Sequence, residues 1–224
     1  MKKWKKLATA ALAAMVFASV LSGCGGDKKK AADTGNTIKV GASFELTGNV
    51  ANYGKSILSG FKMAADEANK TGINGKKIEI IESDNKSEPS ESGNSITKLV
   101  TQNKVVAVVG PATSGCVAAG SPITTANKIP HIAPAATAPG ITVENGKVKE
   151  FMFRACFIDP FQGQVMAVFA NNTLKVKNVA ILFDSSSDYS KGLASVFQKT
   201  LEGKGGKIVA KAVSYTHLRA HETR

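Results

Sequence analysis

Aromatic residues make up only 6% of this 224-residue chain, which has one tryptophan, three histidines and three cysteines. It therefore lacks the aromatic or arginine interleaving that a basic nucleic-acid face requires. Its lysines beyond residue 31 are scattered among acids, so no nucleic-acid partner is expected. No apolar run is long enough for a good membrane span. The histidines offer little chemistry. His217-x-x-x-His221 lacks the glutamate of a zinc-hydrolase helix. His131 sits on a short apolar stretch with no acid nearby to orient it, which favours a core or hinge-facing role over that of a general base. No Gly-x-Ser-x-Gly nucleophile elbow occurs, because Ala112 stands two positions before Ser114. Residues 48–56 imitate a phosphate-binding loop, but five residues separate Gly48 from Gly54 where that loop needs four. The acidic stretch 84–89 lacks the central glycine of a calcium loop. Neither an enzyme nor a bound cofactor or metal is expected.

The N-terminus is what the chain has in place of these. Half of the net charge of +12 lies in the first 30 residues, where Lys2, Lys3, Lys5, Lys6, Lys28, Lys29 and Lys30 face Asp27 alone. A basic start, an Ala-rich apolar run over 7–20 and the small residues of Leu21-Ser22-Gly23-Cys24 follow in signal-peptide order. The end of this stretch resembles the bacterial lipobox. That resemblance implies a signal peptide over 1–23, cleavage before Cys24 and transfer of diacylglycerol to its thiol. Palmitate-type acyl chains would then hold the protein on the cell membrane. Residues 24–36 are polar and Gly-containing and read as a flexible tether. The export route permits a disulfide between Cys116 and Cys156, but their small-residue and apolar surroundings favour two buried free thiols.

From residue 37 short β-branched runs alternate with amphipathic segments. Strands are expected over 38–44, 77–83, 105–109, 130–133, 151–157, 178–183 and 207–211. Helices are expected over 53–70, 88–103, 114–127, 160–171 and 189–203. The fully apolar run 105–109 reads as a central parallel strand covered on both faces. Strict alternation of this kind gives right-handed crossovers and a mostly parallel sheet. The expected fold is α/β with two doubly wound parallel-sheet lobes. Lobe one is 37–157, and 158–212 is an incomplete second lobe.

Residues 213–224 break the pattern. Val213 to Thr223 read as the one-frame translation of a transposase-type sequencing adapter, so this tail is expected to be foreign to the natural gene.

Several stretches together carry a resemblance. They are Gly41-Ala42-Ser43-Phe44-Glu45-Leu46-Thr47-Gly48 with Tyr53-Gly54; Val109-Gly110-Pro111-Ala112-Thr113-Ser114; Ile132-Ala133-Pro134-Ala135-Ala136-Thr137-Ala138-Pro139; Phe153-Arg154 with Asp159, Gln162 and Gly163; and Phe183-Asp184 with Tyr189 and Gly192. In order and spacing the chain resembles the type I periplasmic binding proteins, specifically the leucine/isoleucine/valine-binding family of ABC importers. The resemblance covers about half of a typical member. It implies a lipoprotein that delivers an amino acid or related small solute to an ABC permease. A ligand-sensing or regulatory lipoprotein on the same fold is the alternative.

The residues support a site beside that resemblance. Ligands of open parallel sheets bind past the carboxyl ends of the strands. Ser114 opens a helix at such an end, where free N–H groups suit a carboxylate. Pro134 and Pro139 stiffen the following loop, so that the Ala135 carbonyl and the Thr137 hydroxyl can face an ammonium group. The candidate ligand residues are Tyr53, Thr113, Ser114, Ala135, Ala136, Thr137 and Tyr189. The two tyrosines would close over the ligand from either lobe. The family's further second-lobe acid and aromatic have no counterpart before residue 212.

Overall fold

The computed structural model describes residues 35–214. The expected signal peptide over 1–23, Cys24, nearly all of the expected tether and residues 215–224 lie outside the described residues. The chain divides into two units, Met1–Asn36 and Thr37–Arg224, and the fold is that of the second.

Strand β1 (Thr37–Phe44) leads to helix α1 (Ala51–Thr71) and then β2 (Lys77–Asp84). Helix α2 (Pro89–Thr101) follows, with a proline in its first turn where the missing N–H is harmless. After β3 (Ala107–Val109) come helix α3 (Ser114–Ala126) and β4 (His131–Ala133). A hairpin of β5 (Val143–Glu144) and β6 (Lys147–Val148) precedes β7 (Met152–Arg154). Its turn is Asn145-Gly146, both at positive φ (51° and 76°), the conformation that Asn-Gly favours between paired strands. The chain then forms α4 (Asp159–Val168), which ends in a wide turn over Phe169–Thr173, and finally β8 (Asn178–Asp184), α5 (Asp188–Glu202) and β9 (Lys207–Ser214).

Five strands make one parallel sheet in the order β2-β1-β3-β4-β7, and β8 and β9 pair in parallel in a separate sheet. Both faces of the larger sheet carry helices. Leu58, Ile57 and Phe61 of α1 cover Ala42, Phe44 and Val109 on one face. On the other, Ile96, Leu99 and Val100 of α2 pack on Val105 and Val108. Each of these large aliphatic side chains stabilises the fold by about 1.5–3 kcal/mol when fully buried. Beyond β7, Ala167, Ala170 and Leu201 form a second small core with Val179 and Ile208.

The α/β alternation matches the sequence expectation, with three differences. β3 is central as expected, but the run 105–109 is incompletely covered: Val106, just before β3, is 54% exposed, and Ile132, paired with Val109, and Phe153, paired with Ile132, are exposed as well. α1 reaches no further than Val109 on that side and leaves Ile132 and Phe153 of β4 and β7 exposed. The β5–β6 hairpin was not expected. Finally, β9 runs two residues past 212, because Val213 and Ser214 pair with Phe183 and Asp184 on the free edge of β8. Backbone pairing of this kind is indifferent to where the residues originate.

Helix α3 is built of small residues and contains Pro122. The proline cannot donate to the Ala118 carbonyl four residues back. The Ser121 hydroxyl donates to that carbonyl instead, at 3.2 Å.

Candidate ligand-binding site

The order of the five strands reverses between β1 and β3, since β2 lies to one side and β4 and β7 to the other. At such a point two neighbouring loops leave in opposite directions and a crevice opens at their carboxyl ends. Residues 45–50 and 110–113 flank that crevice here.

The β3–α3 loop is held from three directions. Glu45, fully buried, accepts from the Ala112 N–H (2.9 Å), the Thr113 N–H (3.0 Å) and the Thr113 hydroxyl (2.8 Å). His131, also fully buried, has Nε2 2.6 Å from the Gly110 carbonyl, so that nitrogen carries the proton and donates. Burial pushes the His131 ring down to about 4, against the opposing pull of the Gly110 bond, and keeps it neutral at pH 7. The Thr124 hydroxyl lies 3.1 Å from Nδ1. The third contact is the Ala138 N–H, which donates to the Ser114 hydroxyl oxygen at 3.2 Å. This bond joins the β3–α3 loop to the loop after β4.

Glycine is required at two places around this loop. Gly110 adopts φ +90°, and a Cβ there would fall 2.2 Å from the Ser43 carbonyl oxygen. A Cβ on Gly54 would fall 2.2 Å from the Glu45 carbonyl oxygen, so α1 starts hard against the backbone that carries the buried carboxylate.

The loop after β4 is pinned by Arg154. Its guanidinium donates to the carbonyls of Ala136 (2.9 Å), Ala138 (2.9 Å) and Pro139 (3.3 Å), and to the Thr142 hydroxyl (3.2 Å). The Cys156 thiol also reaches the Ala136 carbonyl at 3.5 Å. Ala136 is thus occupied through its backbone. Thr137 is buried, and its carbonyl accepts from the Asp159 N–H at 3.0 Å. Asp159 is fully buried and neither of its carboxyl oxygens makes a well-aligned hydrogen bond. Burial pushes this carboxyl up, opposed by the nearby Thr137 hydroxyl and Arg154.

The candidate residues fall into two groups. Thr113, Ser114, Ala135, Ala136 and Thr137 lie on two loops at one edge of the sheet, and the Ser114–Ala138 bond brings these loops together. The tyrosines are peripheral. Tyr53, in the first turn of α1, is 66% exposed and makes no side-chain hydrogen bond among the described residues. Tyr189, at the start of α5, is 38% exposed, and its phenol accepts from Gln162 Nε2 at 3.3 Å. α5 also packs against α3, and Ser114 and Thr137 are both under a tenth exposed. A shallow apolar depression of about 180 Å³ lies elsewhere, against Phe157, Phe161, Gln162, Val165 and Met166.

His131 is in the core, in keeping with the core or hinge-facing role expected of it, but sequence reasoning missed its bond to Gly110 and the parts that Glu45 and Arg154 play in this architecture. Glu45 had a signal: an acid directly following an apolar strand is poorly placed unless something there needs it. The two described cysteines, Cys116 and Cys156, are free. Cys116 is buried, and burial pushes its thiol up to about 12. Cys156 is only half-buried, contrary to expectation, because it sits in the connection after β7 rather than on a core-facing strand.

A doubly wound sheet with a helix N-terminus and two rigid loops at its switch point defines a class of α/β small-molecule binders. Residues 37–218 match the periplasmic binding protein family, and the chain belongs to it. It is 36% identical over 169 residues to the Leu/Ile/Val-binding protein BraC3 of Rhizobium johnstonii, covering 75% of this chain and 45% of that one. It is 32% identical over 209 residues to a leucine-, isoleucine-, valine-, threonine- and alanine-binding protein of Pseudomonas aeruginosa, covering 93% and 52%. Among solved structures it resembles LivJ, a branched-chain amino acid transporter substrate-binding protein of Streptococcus pneumoniae crystallised with isoleucine. The identity is 41%, the TM-score is 0.75, and 81% of this chain and 50% of LivJ are covered. The chain thus spans about half the length of the relatives it matches. All three relatives are named as binding proteins and none as an enzyme.

Proposed function

We propose that the chain serves as an extracytoplasmic solute-binding lipoprotein. A lipid on Cys24 holds it on the cell membrane, and it delivers an amino acid, branched-chain or a related small polar solute, to an ABC permease. The observation that carries this reading is the convergence of Ser114, which opens α3 at the sheet's switch point, with residues 135–137 after the next strand, β4, bridged by the Ser114–Ala138 bond. The names of the relatives supply the ligand class.

The chemistry follows from the donors and acceptors present. The N-terminal N–H groups of α3 and the Ser114 hydroxyl take the carboxylate. The Ala135 carbonyl and the Thr137 hydroxyl take the ammonium. The Thr113 hydroxyl is already committed to Glu45, so Thr113 contributes through its backbone. Tyr53 and Tyr189 close over the side chain. Because Ser114 and Thr137 are buried, the structure around them must open for a ligand to enter. Binding and release are therefore opening and closing of two lobes, 37–157 and 158–212, each built on its own parallel sheet.

Deleting the gene and measuring uptake of radiolabelled leucine, isoleucine and valine tests the reading. Uptake should fall and return on complementation. Unchanged uptake of every amino acid offered would contradict transport and favour a sensor on the same fold.

A further inference from the structure

Helix α3 begins with a residue that ought to cap it and does not. Thr113 occupies the N-cap position with the extended backbone of a capping residue (φ −88°, ψ 145°), yet its side chain accepts no hydrogen bond from the first turn of α3. A threonine here normally turns its oxygen onto the second or third N–H of the helix. Instead, the Thr113 hydroxyl points its proton at Glu45 Oε1, 2.8 Å away. The same oxygen accepts the Thr113 N–H, and Oε2 accepts the Ala112 N–H. Glu45 is fully buried and sits on the neighbouring strand's exit, so this arrangement is built into the fold rather than contributed by a mobile surface side chain. The Ser114 hydroxyl is no substitute cap, because its oxygen is bonded to the Ala138 N–H.

We infer that Glu45 is a positioning residue that diverts Thr113 from capping α3 and so keeps the helix's first N–H groups open to the carboxylate of the ligand. The inference rests on the solute-binding reading above and says how that site is kept receptive. The physical logic is competition. A helix N-terminus presents a few N–H groups without intrahelical partners, and a side-chain cap and a ligand carboxylate seek the same ones. An acid in direct contact with the ligand carboxylate would repel it. Glu45 places its two oxygens on the N–H groups just before the helix, and no side-chain cap bond falls on the N–H groups of the first turn. Gly54 lets α1 start tight against the Glu45 backbone.

The test uses the full-length product of the gene and compares leucine with leucinamide, which lacks only the charged carboxylate. The readout is the ratio of their dissociation constants, which a general loss of stability does not change. The unsubstituted protein should favour leucine strongly. In Glu45→Met, which offers no acceptor, the freed Thr113 hydroxyl can cap α3, and the preference should fall about tenfold, in line with the usual strength of a threonine cap. The double variant Glu45→Met/Thr113→Val should recover part of it relative to Glu45→Met, since no hydroxyl is left to compete. A preference unchanged in Glu45→Met, or lost and not recovered at all in the double variant, overturns the inference. Should Glu45→Met not fold, NMR on the unsubstituted protein decides. The Thr113 hydroxyl proton should show a cross-relaxation peak to the Glu45 side chain, and a peak to the Gly115 or Cys116 amide instead would overturn the inference. If the unsubstituted protein binds neither leucine nor any other amino acid, the solute-binding reading fails, and the NMR result still judges the role of Glu45.

Discussion

Lowering the pH perturbs one buried group whose effect can be worked out in advance. His131 is fully buried, donates from Nε2 to the Gly110 carbonyl and is held near a pKa of about 4. In the unfolded chain its pKa is about 6.5. Between these values the unfolded state binds the extra proton and the folded state does not, so stability rises with pH through this window and is lost as pH falls through it. At 1.36 kcal/mol per unit, the full loss is about 3 kcal/mol, complete below pH 4. Urea unfolding at intervals from pH 7.5 to 4 would measure it. Other groups titrate in the same range. Asp159, with its raised pKa, acts in the opposite sense, because a carboxyl that prefers its proton in the folded state gains stability as pH falls. The comparison must therefore be with His131→Gln, which keeps a donor for Gly110 and cannot titrate. The difference between the two proteins should shrink by about 3 kcal/mol from pH 7 to pH 4. A pH-independent difference would refute the neutral, buried assignment of His131, and with it the idea that this ring supports the β3–α3 loop from beneath.

Three further outcomes follow from the same account. Arg154→Lys cannot reproduce four donations to Ala136, Ala138, Pro139 and Thr142; it should cost about 1.5–3 kcal/mol in unfolding free energy, and no measurable loss would show that the β4–β7 loop is held by other means. Cys24→Ala should abolish incorporation of labelled lipid, because no other thiol lies at the cleavage site; label persisting on the variant would contradict the lipobox reading. Long-read sequencing of the locus should replace residues 213–224 with a natural continuation, whereas recovery of the same twelve codons would show that they belong to the gene.

Much of the fold was legible because each element announced itself by period. The helical spacing of Leu58, Phe61 and Ala65 and the β-branched run of β8 left little choice. The hairpin escaped notice because its strands are two residues each, although Asn145-Gly146 was its signature. The exposure of Val106 could not be read from the run 105–109, since periodicity reports what a strand could bury and not what is present to cover it. For the site, Ser114 and Thr137 were legible as strand-end polar residues. The roles of Glu45, His131 and Arg154 were not, because each acts on backbone far away in sequence: Glu45 on Ala112 and Thr113, His131 on Gly110, Arg154 on Ala136. Such contacts depend on strand order, and the order β2-β1-β3-β4-β7 is not written in any local pattern.

In the proposed site Ser114 and Thr137 grip the charged groups of an amino acid. Isothermal calorimetry of the full-length protein with leucine, isoleucine and valine tests it most directly, alongside Ser114→Ala and Thr137→Ala. Each substitution should weaken binding about ten- to a hundredfold, the worth of one hydrogen bond to a charged group, with the unfolding midpoint little changed. Affinities unchanged in both variants, for every ligand the unsubstituted protein binds, would contradict the site.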